Sequence, residues 1–323
     1  MPVTHVEKDL DNLTLTVVAD FPVPVRRLWD AYIDPRQIEK FWGPPGWPAT
    51  FAQHDVRPGG RSTYWMTSPE GERHYGFWEF LDVKEELSFE IRDGFGDADG
   101  NPSPDMPDMR VVFFFESTAA GSQLVTTTYF HSLEQAEQLA EMGMEEGLKA
   151  AMGQIDDVVA DLRSFATQRT TEAQVLSDTQ IRVSRIVRGT VQQVWRAHHD
   201  ADLMQRWMLG PDGWIMSECE VGEAVGDTYR YAWTQRDGSE GFALVGEVLA
   251  TDPPHREVFT EALEGMDGPP TRNEMTLAAV EGGTLLTLVI TYADAHMRDT
   301  VLGTGMVEGM EASYARMEAE VLA

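Results

Sequence analysis

Residues 25–47 read VRRLWDAYIDPRQIEKFWGPPGW, and this stretch decides the fold because its pattern returns later in the chain. Its opening VRRLW matches VQQVW at 191–195, and its closing GPPGW matches GPDGW at 210–214. Near the two C-terminal ends, GMEEGL at 143–148 matches GMVEGM at 305–310. The matches keep their order and nearly keep their separation, as loop insertions and deletions in a duplicated domain would produce. The sequence therefore predicts two tandem copies of one domain.

The length of the chain fits this duplication, because 323 residues are enough for two domains of about 150 residues each. A helical pattern over residues 133–165 closes the first copy, and an alternating strand pattern at 180–186 opens the second. The segment 166–174 between them is polar and rich in β-branched residues, which predicts a linker or a frayed helix end. We therefore place the copies at residues 1–166 and 175–323.

Both copies have the same predicted order of elements: a strand, two short helices, several strands and a long C-terminal helix. Alternation over residues 13–19 and the aromatic run at 111–115 predict strands. Pro24 fits the first turn of a short helix, and Asp34 ends that helix and caps a second one at 37–42. The expected class is α+β, with an antiparallel sheet wrapped around the long helix and a cavity between them.

The composition excludes several classes of partner. The chain has 25 basic and 54 acidic residues, so its formal net charge of −29 repels nucleic acid and anionic lipid. It has no apolar run of about 18 residues, so we expect no membrane span. No signal peptide is visible, and the single cysteine, Cys219, allows no internal disulfide. These features predict a cytoplasmic protein.

Motifs for metals and cofactors are missing from the sequence. It has no phosphate-cradling glycine loop, and its eight histidines and one cysteine show no spacing typical of metal ligands. The loop at 97–101, DADGN, begins like a calcium site, but its glycine comes one position early and no glutamate closes it. We expect an acidic turn there, and neither a metal nor a cofactor in the protein.

A family resemblance comes from four segments: the stretch 25–47, GERHYGFWEF at 71–80, the Gly/Pro/Asp-rich loop at 93–109, and GMEEGLKA at 143–150. They resemble the bacterial family related to the C-terminal domain of the activator of heat-shock-protein-90 ATPase, within the START-like SRPBCC superfamily. The resemblance covers nearly all of both copies. It implies a helix-grip fold with a hydrophobic cavity, but it implies no single reaction, because this superfamily includes carriers, receptors, cyclases and chaperone-associated domains.

Candidate catalytic groups are few, and all lie in the first copy. His74 and Glu79 fall on one strand pattern beside a tryptophan, and Tyr75 and Tyr129 are further candidates for a general acid or base. The second copy has no counterpart of His74, which favours binding over catalysis and leaves an enzymatic activity open. The adjacent pair His198 and His199 diverges on a helix, so we expect it at the surface.

The candidate ligand-binding residues surround the space expected under each long helix. Glycines recur there in both copies, and a glycine within a helix costs about 0.5–1 kcal/mol relative to alanine. They indicate either close packing of helix on sheet or room for a ligand; nearby methionines and strand tryptophans would add adaptable apolar surface. The residues are Trp42, Trp65, His74, Trp78, Phe114, Gly143, Met144 and Gly147 in the first copy, and Trp207, Trp233, Gly305, Met306 and Gly309 in the second.

Three functions remain open from the sequence. The first is binding of a small hydrophobic molecule in each copy, with the first copy holding the better-formed site. The second is a cyclase, dehydratase or hydrolase that acts on an aromatic or polyketide-like substrate in the same cavity. The third, implied only by the resemblance, is a stress or chaperone-interacting role, with a protein partner or with pairing of the two copies.

Overall fold

The computed structural model describes residues 2–104, 106, 108–161, 170–210 and 213–322. It divides the chain into two compact units, Met1–Arg163 and Ser164–Ala323, called here the first and the second unit. Within the described ranges, no helix has both the length and the apolar character needed to cross a bilayer. Residues 162–169, which include the end of the predicted first-copy helix and the start of the predicted linker, lie outside the description.

The first unit combines an eight-stranded antiparallel sheet with four described helices. Its elements are β1 (Val3–Asp9), β2 (Thr14–Phe21), α1 (Val25–Ile33), α2 (Pro35–Ile38), β3 (Ala49–His54), β4 (Arg61–Thr67), β5 (Arg73–Lys84), β6 (Ser88–Phe95), β7 (Met109–Thr118), β8 (Gly121–Tyr129), α3 (Leu133–Glu141) and α4 (Met144–Ala160). Strand β2 follows the predicted alternation, because every second side chain from Leu15 to Phe21 is buried.

The second unit repeats this arrangement. Its elements are β9 (Glu172–Val175), β10 (Gln180–Val187), α5 (Val191–His199), α6 (Ala201–Trp207), β11 (Trp214–Glu220), β12 (Thr228–Gln235), β13 (Gly241–Asp252), β14 (Arg256–Leu263), β15 (Thr271–Val280), β16 (Gly283–Thr291), α7 (Ala295–Leu302) and α8 (Met306–Glu320). Helix α5 begins with a capping box, in which Thr190 and Gln193 each accept a backbone N–H of the other.

The two sheets have the same strand order. It runs β1-β2-β8-β7-β6-β5-β4-β3 in the first unit and β9-β10-β16-β15-β14-β13-β12-β11 in the second. Both also carry an irregularity at the same place, between Phe80 and Asp82 in β5 and between Val248 and Ala250 in β13. The shared bulge allows residues of the two sheets to be matched one by one, because strand pairing fixes the register on either side of it.

The long C-terminal helix predicted for each copy is two helices instead of one. Gly143 separates α3 from α4 with φ of 80°, and Gly305 separates α7 from α8 with φ of 82°. A left-handed backbone conformation is favourable for glycine and ends a helix. These two glycines therefore form a bend before the last helix, whereas Gly147 and Gly309 lie within it.

Two smaller expectations were also wrong. The second short helix was expected at 37–42, but α2 covers Pro35–Ile38, because Asp34 caps it by accepting the N–H of Arg36. The segment 172–175, of which 172–174 was expected to be linker, is strand β9, whose residues pair with β10. Backbone pairing with β10 holds this polar, fully exposed strand at the edge of the sheet, although it has no apolar face of its own.

Aromatic rings fill the interior of the first unit between α1 and the sheet. Phe89 and Phe113 stack at 4.5 Å between ring centroids, and Trp42 meets Trp78 edge-on at 4.6 Å. Their neighbours in this cluster are Trp29, Tyr32, Phe41, Phe51, Tyr64, Phe80 and Phe115. Such packing places large side chains where the helix-grip arrangement would otherwise leave space.

A buried ion-pair network fastens α8 to the sheet of the second unit. Arg185 on β10 is 4% exposed, and its guanidinium bonds Glu311 at 3.0 Å and Glu318 at 2.9 Å, both on α8. Thr171 donates its hydroxyl to Glu311 as well. Although burial alone would raise it, these hydrogen bonds lower the pKa of Glu311 to about 2. The helix is thereby held at a fixed distance above the strands.

Candidate ligand-binding site

The second unit encloses a cavity of about 690 Å³ between its sheet and its last helix. Residues of α5, α6 and α8 form its helical side, and residues of β12 to β16 form its strand side. The volume lies in the range of about 300–1,000 Å³ that is typical of sites for small molecules. The helix-grip arrangement therefore leaves usable space in this unit.

Most of the cavity wall is apolar. Because side chains alternate along a strand, each of the strands β12 to β16 presents every second residue to this space. Helices α6 and α8 add methionines, whose flexible side chains adapt to irregular shapes. The apolar lining comprises Met204, Trp207, Met208, Val221, Trp233, Phe242, Leu244, Val248, Phe259, Met275, Leu286, Leu288, Ile290, Met306 and Met310.

Two tryptophans of the wall are held in place by their indole N–H groups. Trp207 donates to the carbonyl of Ala197 at 2.9 Å, and Trp233 donates to the carbonyl of Met208 at 2.7 Å. Because each N–H already has an acceptor, both tryptophans offer the cavity rigid apolar rings. Trp207 also stacks on Tyr314 of α8 with ring centroids 6.0 Å apart.

The glycines of α8 leave open space above the sheet. A side-chain carbon built on Gly309 would meet no atom within 4 Å, and one built on Gly305 would meet only Glu308, at 3.8 Å. Both glycines line the cavity. Close packing of helix on sheet is therefore not the reason for these glycines. In the first unit, Gly143 and Gly147 likewise have nothing within 4 Å.

A polar cluster lies on the strand side of the cavity. Glu257 and Glu261 flank Phe259 on β14, and Asn273 faces Phe259 from β15. The cluster is completed by Tyr229 of β12, whose hydroxyl donates to the carbonyl of Thr260 at 2.7 Å. The cavity thus has an apolar body and one polar end, an arrangement that orients a ligand.

Burial changes the protonation of Glu261. Its low-dielectric surroundings raise the pKa of this carboxyl to about 7, and the Tyr229 hydroxyl, which favours the carboxylate, only partly opposes the effect. Glu261 therefore keeps its proton to a higher pH than an exposed glutamate does. A carboxyl in this condition can accept or release a proton at little cost.

The adjacent histidines of α5 both line the cavity, which corrects the expectation that they lie at the surface. His198 donates from Nδ1 to the Val194 carbonyl, and burial lowers its pKa to about 4. His199 stacks on Trp195 at 3.9 Å and bonds Glu257 at 3.2 Å. Both lie in the last turn of α5, where each donates from Nδ1 to the backbone carbonyl four residues earlier in the helix.

We expect the Glu261→Gln variant to change the pH dependence of stability. The pKa of Glu261 is about 7 in the folded chain against an ordinary 4.5, so wild-type stability falls as pH rises from 4.5 to 7. Glutamine removes this penalty, which amounts to about 3 kcal/mol above pH 7. Thermal unfolding at pH 5 and pH 8 should show the variant gaining on wild type only at pH 8.

The exposed Glu247 of β13 is the control for this comparison, because it lies on a strand of the same sheet but faces solvent. The Glu247→Gln variant should follow the wild-type pH profile throughout. Equal profiles for Glu261→Gln and wild type would show that Glu261 is ionised in the folded chain at neutral pH and is not desolvated.

Alignment on the shared bulge shows how the cavity wall of the second unit differs from the aromatic cluster of the first. Counting from the bulge, Trp78 corresponds to Gly246, Phe89 to Glu257, and Phe113 to Met275. Alignment of VRRLWDAY at 25–32 with VQQVWRAH at 191–198 makes Tyr32 the counterpart of His198. Each exchange replaces a large ring by a smaller or polar side chain, and the cavity occupies the volume so released.

All five predicted ligand-binding residues of the second copy line the cavity: Trp207, Trp233, Gly305, Met306 and Gly309. Their role in binding stays a prediction. The sequence placed them correctly because helix ends and strand faces follow from local patterns. It placed the better-formed site in the first copy, however, and the cavity described here belongs to the second.

The predicted residues of the first copy do not form one site. Trp42 and Trp78 pack against each other in the aromatic cluster. Trp65 lies on the opposite face of the sheet, under Arg73 at 4.5 Å, and Phe114 points outward with 38% exposure. Strand alternation separates Trp65 and Phe114 from the interior, because their neighbours in the chain face inward.

The proposed catalytic pair of the first copy is also not enclosed. His74 is exposed and lies against Trp47 with ring centroids 5.0 Å apart. Glu79 pairs with Arg92 at 2.8 Å, on the face of β5 away from Trp78. Tyr75 packs near Trp65 on that outer face, and Tyr129 lies under the guanidinium of Arg110. None of these groups shares a cavity with another.

Met144 begins helix α4 and is half-buried, as are Gly143 before it and Gly147 one turn later.

The Asp97 carboxylate is used within its own loop, where it accepts the backbone N–H groups of Asp99 and Asn101. Across the described ranges, no three acidic, histidine or cysteine side chains come together as a metal site.

Sequence reasoning missed the polar cluster, although a signal existed. Glu257 and Glu261 alternate with Phe259, so the carboxyls share the face of a large apolar side chain. Alignment on the bulge also pairs Glu261 with Asp93 of the first unit, whose pKa burial likewise raises to about 7. An inward carboxyl is therefore common to both units, unlike His74, which has no counterpart in the second copy.

An antiparallel sheet with two short helices, closed by a C-terminal helix, defines a helix-grip domain, and two such domains follow each other here. A family model described as "Activator of Hsp90 ATPase homolog 1-like protein" matches residues 22–160 and 188–321. The chain belongs to this family and carries two tandem copies of its domain. A search of curated proteins finds no match.

Single-domain proteins of known structure resemble about half of the chain each. Protein Ms6760 of Mycobacterium smegmatis is 47% identical, with 50% of this chain and 98% of that protein covered and a TM-score of 0.47. A protein from Arthrobacter aurescens is 38% identical, with 49% and 92% covered and a TM-score of 0.47. A protein from Rhodobacter sphaeroides is 31% identical, with 46% and 96% covered and a TM-score of 0.44.

Proposed function

We propose that the second unit binds a small, mainly hydrophobic molecule in the cavity between its sheet and α8. The observation that carries this proposal is the cavity itself, of about 690 Å³, with an apolar wall and one polar end. A ligand would rest against the fixed rings of Trp207 and Trp233 and beneath the open face of Gly309. The polar cluster on β14 would hold its polar end.

Hydrophobic burial would supply most of the affinity. A ligand that buries about 300 Å² of apolar surface gains about 7 kcal/mol at about 25 cal/mol per Å². The loss of translational and rotational freedom offsets part of this gain, so dissociation constants of about 10–100 μM are expected for a good fit. The pre-formed wall reduces the cost of ordering, since Trp207 and Trp233 are already held by hydrogen bonds.

The test uses the full chain and a panel of lipids, polyketide-like aromatics and alkyl compounds. Native mass spectrometry should show one ligand bound per chain, and tryptophan fluorescence should change because Trp207 and Trp233 line the cavity. Binding of no panel member at about 100 μM, which corresponds to about 5.5 kcal/mol, would contradict the proposal.

Acid–base catalysis is a second candidate, favoured by Glu261 alone. A carboxyl with a pKa of about 7 in an apolar cavity is suited to transfer protons to or from a bound substrate. A cyclase, dehydratase or hydrolase would use it as its general acid or base. Mass spectrometry of panel compounds after incubation should then reveal a product that wild type forms and Glu261→Gln does not, although both bind the compound.

A cytoplasmic location and a chaperone-interacting role stay predictions. Fractionation of host cells tests the first. A pull-down with the host's homologue of heat-shock protein 90 tests the second, and the loss of any complex on washing would count against it.

A further inference from the structure

Four polar residues of the cavity wall that can accept hydrogen bonds lie around Phe259. Glu257 and Glu261 project from β14 on either side of Phe259, and Asn273 projects from β15 beside the same residue. Tyr229 donates its hydroxyl hydrogen to the Thr260 carbonyl, and its hydroxyl also lies within hydrogen-bonding reach of Glu261. These residues, Tyr229, Glu257, Glu261 and Asn273, are called here the acceptor cluster.

Asn273 shows that the acceptor cluster is incomplete. Its side chain is only 2% exposed and lines the cavity, yet its amide oxygen Oδ1 has no hydrogen-bond donor. Buried polar atoms in proteins nearly always have a partner, because leaving one unsatisfied is costly. A donor supplied from within the cavity would satisfy Oδ1.

Glu261 also has no lysine or arginine beside it among the described residues. Glu257 is bonded by His199. The arginine in the cavity wall, Arg316, is directed to the Trp207 carbonyl, which it bonds at 2.8 Å. A carboxyl in a low-dielectric cavity without a counter-charge binds a cation strongly, because the cation offsets the cost of ionising it.

We propose that the preferred ligand of the second unit is an amphiphilic amine, with its ammonium group against Glu261 and Asn273 and its apolar part along Trp207 and Trp233. This inference rests on the proposed binding function and names the ligand class of that site. An ammonium group has three hydrogens to donate and no acceptor, so it complements a cluster of acceptors. A carboxylate ligand such as a fatty acid would meet like charge there.

The charge of the whole chain acts in the same direction. A formal net charge of −29 creates a negative potential that concentrates cations near the surface and repels anions. A neutral alcohol would find acceptors in the cluster but would not offset the charge of Glu261. The expected order of affinity for chains of equal length is therefore amine, then alcohol, then carboxylate.

The test compares n-decylamine, n-decanol and n-decanoate, which share one alkyl chain, by isothermal titration calorimetry with the full chain at pH 7.5. We expect decylamine to bind about tenfold more tightly than decanol and about 100-fold more tightly than decanoate. In Glu261→Gln, which keeps the shape of the side chain, decylamine should lose about tenfold in affinity while decanol changes less than about threefold. Glu247→Gln, on the exposed face of β13, is the control and should bind all three probes as wild type does.

Proton release gives a second readout. Because burial raises the pKa of Glu261 to about 7, decylamine should displace about one proton at pH 6, measurable by titration in two buffers of different ionisation enthalpy. The Glu261→Gln variant should release none, which separates Glu261 from the other titratable and charged groups around the cavity. Those groups are Tyr229 and Tyr231 on β12, Glu257 on β14, Tyr292 after β16, His198 and His199 on α5, and Tyr314 and Arg316 on α8.

The outcomes distinguish this inference from the function on which it rests. If decanol binds but decylamine binds no better than decanoate, the amine preference is wrong and hydrophobic binding stands. If Glu261→Gln keeps the amine preference, the ammonium group does not lie against Glu261. If none of the three probes binds wild type, and the wider panel does not bind either, both proposals fail.

Discussion

Replacing Gly309 by leucine is expected to weaken ligand binding to the second unit about 100-fold, a loss of about 2.7 kcal/mol. Gly309 lies on the cavity side of α8, and no atom lies within 4 Å of the position of its missing side chain. A leucine would therefore extend into the space that the ligand occupies instead of into the protein. Calorimetric titration with decanol, or with the tightest panel ligand, measures the effect.

The matched control is alanine at the same position. Gly309→Ala adds one carbon in open space and removes the entropic cost of a glycine within a helix, so it should stabilise the chain by about 0.5–1 kcal/mol and retain most of the binding. Leucine at Gly147, in the equivalent helix of the first unit, should leave binding to the second unit unchanged. A folded Gly309→Leu variant with wild-type affinity would show that the ligand lies elsewhere.

Replacing Arg185 by methionine is expected to destabilise the second unit by about 3 kcal/mol. The guanidinium of Arg185 is buried and bonds Glu311 and Glu318 of α8 at 3.0 and 2.9 Å. Methionine has similar length but no charge, so two carboxylates would lose the cation that holds the helix on the sheet. Calorimetric unfolding of the full chain should show the transition of one unit lowered by about 6–12 °C.

Two comparisons make this prediction specific. Arg230 pairs with Glu218 and Glu264 at the surface, so Arg230→Met should change stability little, because exposed ion pairs contribute little. The pKa of Glu311 is lowered to about 2 by its hydrogen bonds, against an ordinary 4.5, so its contribution is complete above pH 4.5 and is lost as pH falls toward 2. Arg185→Met should flatten that acid dependence, and an unchanged profile would contradict the role of Arg185.

Much of the fold could be predicted because it follows from local patterns. The repeat of the VRRLW and GPPGW segments indicated two copies, and the alternation of residues such as Leu15 and Val17 indicated strands. The bends at Gly143 and Gly305 were missed, because a glycine within a helical pattern and a glycine that ends a helix look alike in a sequence. The positive φ at each position distinguishes them.

The candidate site was predictable only in part. The second-copy residues Trp207, Trp233 and Gly309 were found because they lie at helix ends and on regular strand faces. Glu261 and Asn273 were missed, because alternation places Glu261 on the same face as Phe259 but does not show that this face is the inward one. The inward face was evident only after strand pairing fixed the register of β14 and β15.

The sequence by itself determined that this protein is a tandem duplication of an α+β domain, because periodicity and repeated turns are local properties that need no partner. The helix-grip fold was implied by the family resemblance. Only the tertiary structure decided which unit has the cavity described here. Cavity volume depends on side chains that converge from six or more elements, and exchanges such as Trp78 for Gly246 act on it jointly. Trp42 and Trp78, two of the aromatic residues that made the first copy resemble a binding site, pack against each other in its interior.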